Sequence, residues 1–479
     1  MIDRKKAKQQ GIWIGDFLIK VSPDDMFLFL EGDPKDPDLI KDLQENWENL
    51  KIQLKKEGLF GILPEPELID NKLILAKGTP PQPPTPERFE FFEKFLPLLD
   101  RDSERKWKEL VEKKEQLEKE DLRESYQKII CAEKDEPIAK WFPSIPGTPG
   151  VNIWGDSIDP PSISEKSQFS LGNNLYLEDE SHLIKAKKSG VVVIEKDKIE
   201  IYPEYTIKGD IDFSVGNVYF TGTKLTIEGD IKFGFKVICK GILELKGCTE
   251  NKVYIEVNGD FICDGVVRGE ETKVKVKGQA ELKGVEYANL EIEGNLIIKN
   301  YLIFSKTLVF GDLKAISGKG IIYGGIVKVL GNIEVKILGN EAQTTTKVLA
   351  GYNPWLIEPY LKLVQEKSLL KESLEKLSHG IMLGEKLKKE GCLTPEKEKI
   401  WLKIREEYDK LTQQLQNTKE KIIEIKKEID KFKSRIIKVI EKVYPGVTIG
   451  ITEIVYTIPE EKKGPITFYL ESDIIQEKT

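Results

Sequence analysis

Two histidines, five cysteines and a recurring Gly-Asp or Gly-Asn pair are the raw material for any chemistry in this 479-residue chain. His182 and His379 lie far apart and neither sits in a ligand or relay motif, so a His-based zinc site or a His acid–base pair is disfavoured. The cysteines are Cys131, Cys239, Cys248, Cys263 and Cys392, an odd number with no CxxC. That pattern fits neither a disulfide framework nor a thiolate metal site. Cys239 and Cys263 alternate with Val and Leu in a strand-like pattern and read as small core residues, with no His nearby to activate them. Cys248 follows a glycine at a turn, and Cys392 falls between two helical stretches, where an intermolecular contact is open to it.

The Gly-Asp and Gly-Asn pairs are the most suggestive set. After successive glycines come Thr223, Ile242, Asp260, Gln279, Asn295, Asp312 and Asn332, and Asp210 and Asp230 follow two more. Stacked, such residues offer a column of oxygen ligands for a cation, or carboxylates for glycoside cleavage. The preferred reading is plainer: Asp and Asn at turns satisfy nearby backbone amides. A glycosidase needs paired carboxylates at a set separation. It usually has an aromatic sugar platform as well, and there is no Trp between Tyr205 and Gly351. The phosphate-loop pattern GxxxxGK[ST] is absent, and Gly318–Gly325 opens no helix, so no nucleotide site is read there. The sequence therefore nominates no catalytic, cofactor-binding or metal-binding residue, and no cofactor.

Charge points the same way. Lys and Arg number 74 and Asp and Glu 81, a net charge of −7 with charged residues at 32%. This is a mixed-sign surface, not the basic footprint of a nucleic-acid binder. No leader-like apolar run opens the chain and no long apolar stretch follows. A cytoplasmic protein without an integral membrane segment is expected. Abundant Lys, Glu and Ile with few His and Met hint at a thermophilic source.

The glycines reveal the frame that must hold these residues. Between Tyr205 and Gly351 lie 21 of the chain's 38 glycines. Gly222, Gly241, Gly259, Gly278, Gly294, Gly311 and Gly331 form one series with steps of 16 to 20, and Gly229, Gly247, Gly265 and Gly284 a second with steps of 18 or 19. Gly216 and Gly234 are a third, in phase. The apolar alternation repeats with them. Leu225 and Ile227 map onto Leu243 and Leu245, then Phe261 and Cys263, then Ala280 and Leu282. Val237 and Cys239 map onto Ile255 and Val257, then Val274 and Val276, then Leu290 and Ile292.

A period near 18 describes a coil of three short strands. Such coils bury their inner faces by stacking, and glycine is expected at corners that need a positive φ. The reading is a parallel β-helix, or β-solenoid, of about eight coils and ~40 Å. Its variable step favours the right-handed form. An antiparallel sandwich would not keep three glycine series in phase.

Around this centre we expect a multidomain α+β chain. Residues 1–199 read as an N-terminal α+β region, with strands over Phe17–Val21, Met26–Leu30 and Lys72–Ala76 and a helix over Pro37–Glu57. A proline-rich connector, Gly78–Pro86, follows, and then a charged helical insertion over about 86–130. The β-helix is placed at 200–352. Residues 353–443 carry an a/d seam: Trp401, Ile404, Tyr408, Leu411, Leu415, Thr418, Ile422, Ile425, Ile429, Phe432, Ile436, Val439 and Val443. This predicts a helix over Pro395–Val443, about 73 Å long. A shorter seam from Leu363 to Ile381 and the brief connector 390–394 make it an antiparallel coiled-coil hairpin. Strands in 444–479 are expected to rejoin the β region.

The order of several short motifs resembles the bacterial flagellar assembly protein A family, and the likeness covers nearly the whole chain. Gly209-Asp-Ile-Asp-Phe-Ser-Val-Gly-Asn-Val-Tyr-Phe220 is similar to the segment that opens the family's solenoid. Ile322-Tyr-Gly-Gly325 and Thr344-Thr-Thr-Lys-Val-Leu-Ala-Gly351 are similar to its closing coils, and Tyr444-Pro-Gly-Val-Thr-Ile449 to the motif after its coiled coil. Val21–Leu30, Ala76-Lys-Gly78 and Ile145–Gly155 resemble its N-terminal region. The glycine-rich GKDG-type segment of the family is replaced here by Pro80–Pro86 and a charged stretch.

The resemblance implies a non-enzymatic cytoplasmic protein linked to flagellar assembly or its regulation, with no catalytic residues to carry over. The resulting expectation is a scaffold or adaptor with protein partners at the hairpin and the N-terminal region, and a possible homo-oligomer. Two alternatives are a bactofilin-like cytoskeletal polymer and a carbohydrate-active β-helix enzyme.

Overall fold

The structure, a computed structural model, describes residues 2–100, 123, 127–162, 169–195 and 197–479. Near the N-terminus five antiparallel strands form one sheet, in the spatial order Ile12–Ile14, Phe17–Val21, Phe27–Leu30, Lys72–Lys77, Ile62–Ile69. The helix Pro37–Lys56 starts where the side chain of Asp36 accepts from the Asp38 amide, with Pro37 at its first position. It buries Leu43, Trp47, Leu50 and Leu54, spaced by four and three, beside this sheet. Gly58, at φ +82°, ends the turn that follows. The proline-rich stretch is not a bare connector. Thr79, Gln82 and Thr85 bridge to Val151, Thr148 and Ile145 in an antiparallel ladder.

The expected charged helix over 86–130 needs correction where it is described. Arg88–Phe91 is a strand paired with Pro137–Phe142, and Glu93–Leu98 is a short 3-10 helix. Phe89 and Phe91 alternate with Arg88 and Glu90, a period of two, and both rings meet Phe169 edge-on at 5.4 Å. Most of the remaining insertion, 101–122 and 124–126, lies outside the described residues.

From Glu204–Ile207 to Thr346–Ala350 the chain winds a parallel β-solenoid of about eight coils. Leu225, Leu243, Phe261, Ala280, Leu296, Leu313 and Ile333 are register partners coil after coil, all fully buried. Val237, Ile255, Val274 and Leu290 form a second inner ladder. Phe261 is followed by Ala280, a large residue offset by a small one, which keeps the interior filled.

The glycine corners have a different cause from the one expected. The main series does not adopt positive φ. Instead the backbones touch: Gly259 donates to Gly241 O at 3.2 Å, Gly278 to Gly259 O at 3.1 Å, Gly294 to Gly278 O at 3.1 Å, Gly311 to Gly294 O at 3.1 Å and Gly331 to Gly311 O at 3.0 Å. A Cβ on Gly259 would stand 2.6 Å from the Gly241 oxygen, inside contact distance. Only the third pair, Gly216 at φ +77° and Gly234 at +76°, needs glycine for its dihedral.

After Ala350 the chain leaves the solenoid as two helices, Pro354–Lys389 and Pro395–Asp430, each of 36 residues. They run antiparallel: Trp401 packs on Gly384 near the far end, and Ile429 on Ile357 at the base. The indole Nε1 of Trp401 donates to Ile381 O at 3.3 Å. The second helix ends at Asp430, not Val443, so it is ~54 Å long, shorter than the seam suggested. Ile437–Val443 is a strand, pairing in parallel with Ile333–Leu338 through Ile333↔Ile437 and Val335↔Val439. The β-branched run there fits both periods, and the open edge of the last coil decides for the strand. Val447–Ile451 then pairs in parallel with Thr346–Ala350, so the inserted hairpin interrupts one coil and the solenoid resumes in phase.

Both ends of the stack are covered. On the N-terminal side Ile129, Cys131 and Val191 join the solenoid's core, and Lys128 N donates to Val215 O at 3.0 Å. On the C-terminal side the pairing turns antiparallel: Ile454–Thr457 folds on Val447–Ile451, Ile466–Glu471 on Ile437–Val443, and Ile474–Lys478 on Ile466–Glu471.

If backbone contact sets the corners, Gly259→Ala lowers unfolding stability by ~1–3 kcal/mol. Gly209→Ala, where nothing lies within 4 Å, changes it by less than about 0.5 kcal/mol. Chemical denaturation of the two variants checks the contrast, and equal effects refute it.

Candidate functional site

The Asp/Asn column stands along the corners, but its oxygens are taken by the neighbouring coils. Asp210 Oδ1 accepts from the Asp230 amide at 2.8 Å, and Asp230 Oδ1 from the Cys248 amide at 2.8 Å. Asp260 Oδ1 accepts from Gln279 N at 2.8 Å, Asn295 Oδ1 from Asp312 N at 2.8 Å, Asp312 Oδ1 from Asn332 N at 2.7 Å, and Asn332 Oδ1 from Ile436 N at 3.1 Å. The side chains stitch one coil to the next, a longer-range version of the turn role read from sequence. The last bond captures the chain as it returns from the hairpin.

The cation of this column is a lysine. Lys232 Nζ lies 3.2 Å from Asp210 Oδ2, 3.2 Å from Asp230 Oδ2 and 3.5 Å from Glu250 Oε1. Asp210 and Asp230 push its ammonium above the ordinary lysine range. The Cys248 amide, opposed by partial burial and helped by Lys232, holds the Asp230 carboxyl below its ordinary 3.8. Among the described residues no group of three or more His, Cys, Asp or Glu is placed to hold a metal.

Cys239 and Cys263 lie in the inner ladders, where burial pushes both thiols up to about 12, well away from thiolate chemistry. Cys248 Sγ accepts from Val266 N at 3.3 Å, and Cys392 is exposed at the turn between the two long helices. His182 sits at φ +55° in the turn before Leu183–Ala186, its ring edge-on to Trp141 at 5.8 Å, and His379 is exposed on the first long helix. Gly324 and Gly325 fall within the strand Ile321–Val329.

Sequence reading missed two surfaces. One is a trough on the outer face of the solenoid. A cleft of about 1050 Å³ includes Lys236, Tyr254, Lys273 and Asn289 in its lining. A second, of about 390 Å³, shares Lys273 and Asn289 and continues over Lys306 and Ile326 to Pro354 and Glu358 at the hairpin base. The signal was present: Lys236, Lys273, Lys306 and Lys347 recur at about twice the coil period.

The other surface is the hairpin's anchorage. Ile357, Tyr352, Leu349 and Ile429 form a small core at its root. Lys426 pairs with the nearly buried Glu453, Lys433 with Asp473 at 2.7 Å, and Lys328 with Glu358 at 3.1 Å. Phe310 on the solenoid stacks on Trp355 at 4.9 Å.

This architecture agrees with the families the chain matches. Residues 203–475 match the Flagellar Assembly Protein A beta solenoid domain, and residues 17–197 match the Flagellar Assembly Protein A N-terminal region. The chain belongs to the flagellar assembly protein A family. No curated protein and no solved structure matched it. In this family member the solenoid domain spans the inserted hairpin, and the trough, the stitched corners and the hairpin root all lie within it. No described helix is long and apolar enough to cross a membrane.

The stitching makes an acid-sensitivity prediction. A carboxylate held below its ordinary pKa contributes stability above the unfolded-state value and loses it as pH falls. Stability therefore drops on acidification below about pH 4, and Asp230→Asn, which keeps an acceptor oxygen, flattens that drop. Urea midpoints measured against pH for the two proteins check it; parallel curves refute it.

Proposed function

We propose that this flagellar assembly protein A family member works as a non-enzymatic cytoplasmic scaffold or adaptor in flagellar assembly or its regulation. One observation carries the reading: a solenoid covered at both ends bears a long hairpin whose root is clamped to it by a core and three ion pairs. A clamped projection holds a distant binding point at a set direction from the rod. The hairpin serves as an antiparallel coiled coil whose seam runs through Leu370, Leu374, Leu377 and Ile381 on one helix and from Trp401 to Ile429 on the other. The hairpin and the N-terminal region are the docking elements for protein partners.

The covered ends support a discrete particle over end-to-end stacking, because a growing solenoid needs open parallel edges. The corner carboxylates Asp210, Asp230 and Asp260 are engaged with backbone amides, which counts against their serving as the acid–base pair of a carbohydrate enzyme.

The test removes the arm and leaves its root. Residues 362–423 are replaced by a short Gly/Ser linker in a flagellated host lacking its own copy. The truncated protein is expected to keep the thermal midpoint of the full chain while swimming in soft agar falls to the level of the deletion strain. Full motility with the truncated protein removes the arm from the function. Filaments that grow with concentration in light scattering replace the adaptor with the polymer.

A further inference from the structure

We propose that the trough on the solenoid's outer face binds an extended acidic peptide in the polyproline II conformation, with a carboxylate at every third residue. The floor of the trough is one register column. Lys236, Tyr254, Lys273, Asn289, Lys306 and Ile326 are partners in consecutive coils, and the column continues past the trough to Lys347. A lysine occupies every second rung, with an uncharged residue between. Two inter-strand spacings put neighbouring lysines about 9.6 Å apart.

Three residues of polyproline II advance about 9.3 Å, so acids at every third position meet successive lysines with little drift. An extended β-strand presents same-face residues about 6.7 Å apart and falls out of phase within two rungs. Tyr254, Asn289 and Ile326 stand between the lysines, and Phe233, 45% exposed, stands on the wall of the wider cleft. Aromatic and apolar surface of this kind is what a proline-rich backbone packs against.

The charge pattern fits an anionic guest. The narrower half of the trough has Lys273, Lys275, Lys306 and Lys328 against Glu291 and Glu358. Lys275 pairs with Glu291 at 3.6 Å and Lys328 with Glu358 at 3.1 Å. No ion pair among the described residues engages Lys273 or Lys306, which leaves both ammonium groups to the guest. The wider half is mixed in sign, with Asp212, Glu250, Glu270 and Glu271 in its lining and Lys232 and Lys252 paired to Glu250 and Glu271, so the narrower half offers the guest its free ammonium groups. The inference stands apart from the role of the hairpin, since the column lies on the solenoid itself.

The experiment uses the full chain and a fluorescent peptide of about four Glu-Pro-Pro triplets, followed by anisotropy at about 50 mM salt, where surface charge is least screened. Saturable binding is expected. The double variant Lys273→Glu/Lys306→Glu weakens it about tenfold or more, the Gln pair weakens it less, and Lys314→Glu on another face leaves it within about twofold. Circular dichroism and the thermal midpoint establish that each variant is folded. Four results each overturn the proposal: no saturable binding, equal binding of an isomeric peptide with its glutamates contiguous, unchanged binding by the folded double variant, or tighter binding of a single-stranded oligonucleotide than of the peptide.

Discussion

Backbone against backbone at the glycine corners is the contact on which the rest of this molecule depends. From Gly259 to Gly331 each glycine in the series donates to the one before it in the stack, at 3.0 to 3.2 Å. No side chain fits between them, so the coils close to strand-pairing distance on every face at once. The inner ladders then meet without gaps, and the Asp and Asn next to the glycines come within reach of the amides one coil on. A hydrogen bond of this kind contributes only about 1 kcal/mol. Repetition along the rod makes the series strong, and each step sets the register of the next.

The same constraint explains how a long insertion is tolerated. The chain departs after Ala350 and returns at Ile437, where Asn332 Oδ1 takes the Ile436 amide and Ile333 takes Ile437 as its ladder partner. The coil that closes after the hairpin is specified by the coil before it, not by the sequence in between. The hairpin is therefore free to be charged and exposed along most of its length. Only its root, at Ile357 and Ile429, has to match the solenoid. An arm on such a root is an addition to the fold that places no burden on the core.

Much of this was legible beforehand. The glycine period and the inner ladders appear as local patterns, as do the helix over Pro37–Glu57 and the seam from Trp401 to Ile429. Where reading failed, two patterns competed or the partner was remote. Phe89 and Phe91 carry a strand period inside a stretch whose charge suggested helix. Val439 and Val443 satisfy the helical seam and the solenoid ladder together. The lysine floor escaped notice because its period is twice that of the coil and each lysine alone resembles ordinary surface.

The sequence by itself determined the repeat, the identity of the buried ladders, the existence of two long amphipathic helices and the family to which the chain belongs. These follow from spacing among chain neighbours, which periodicity records directly. Only the tertiary structure decided that the corner glycines answer to crowding and not to dihedral freedom, and that Ile437–Val443 is strand. It also decided that Lys232 fills the carboxylate column and that the pairing turns antiparallel at the C-terminal end of the rod. Each of these turns on contacts between residues about one coil or more apart, and such contacts exist only once the coils have stacked.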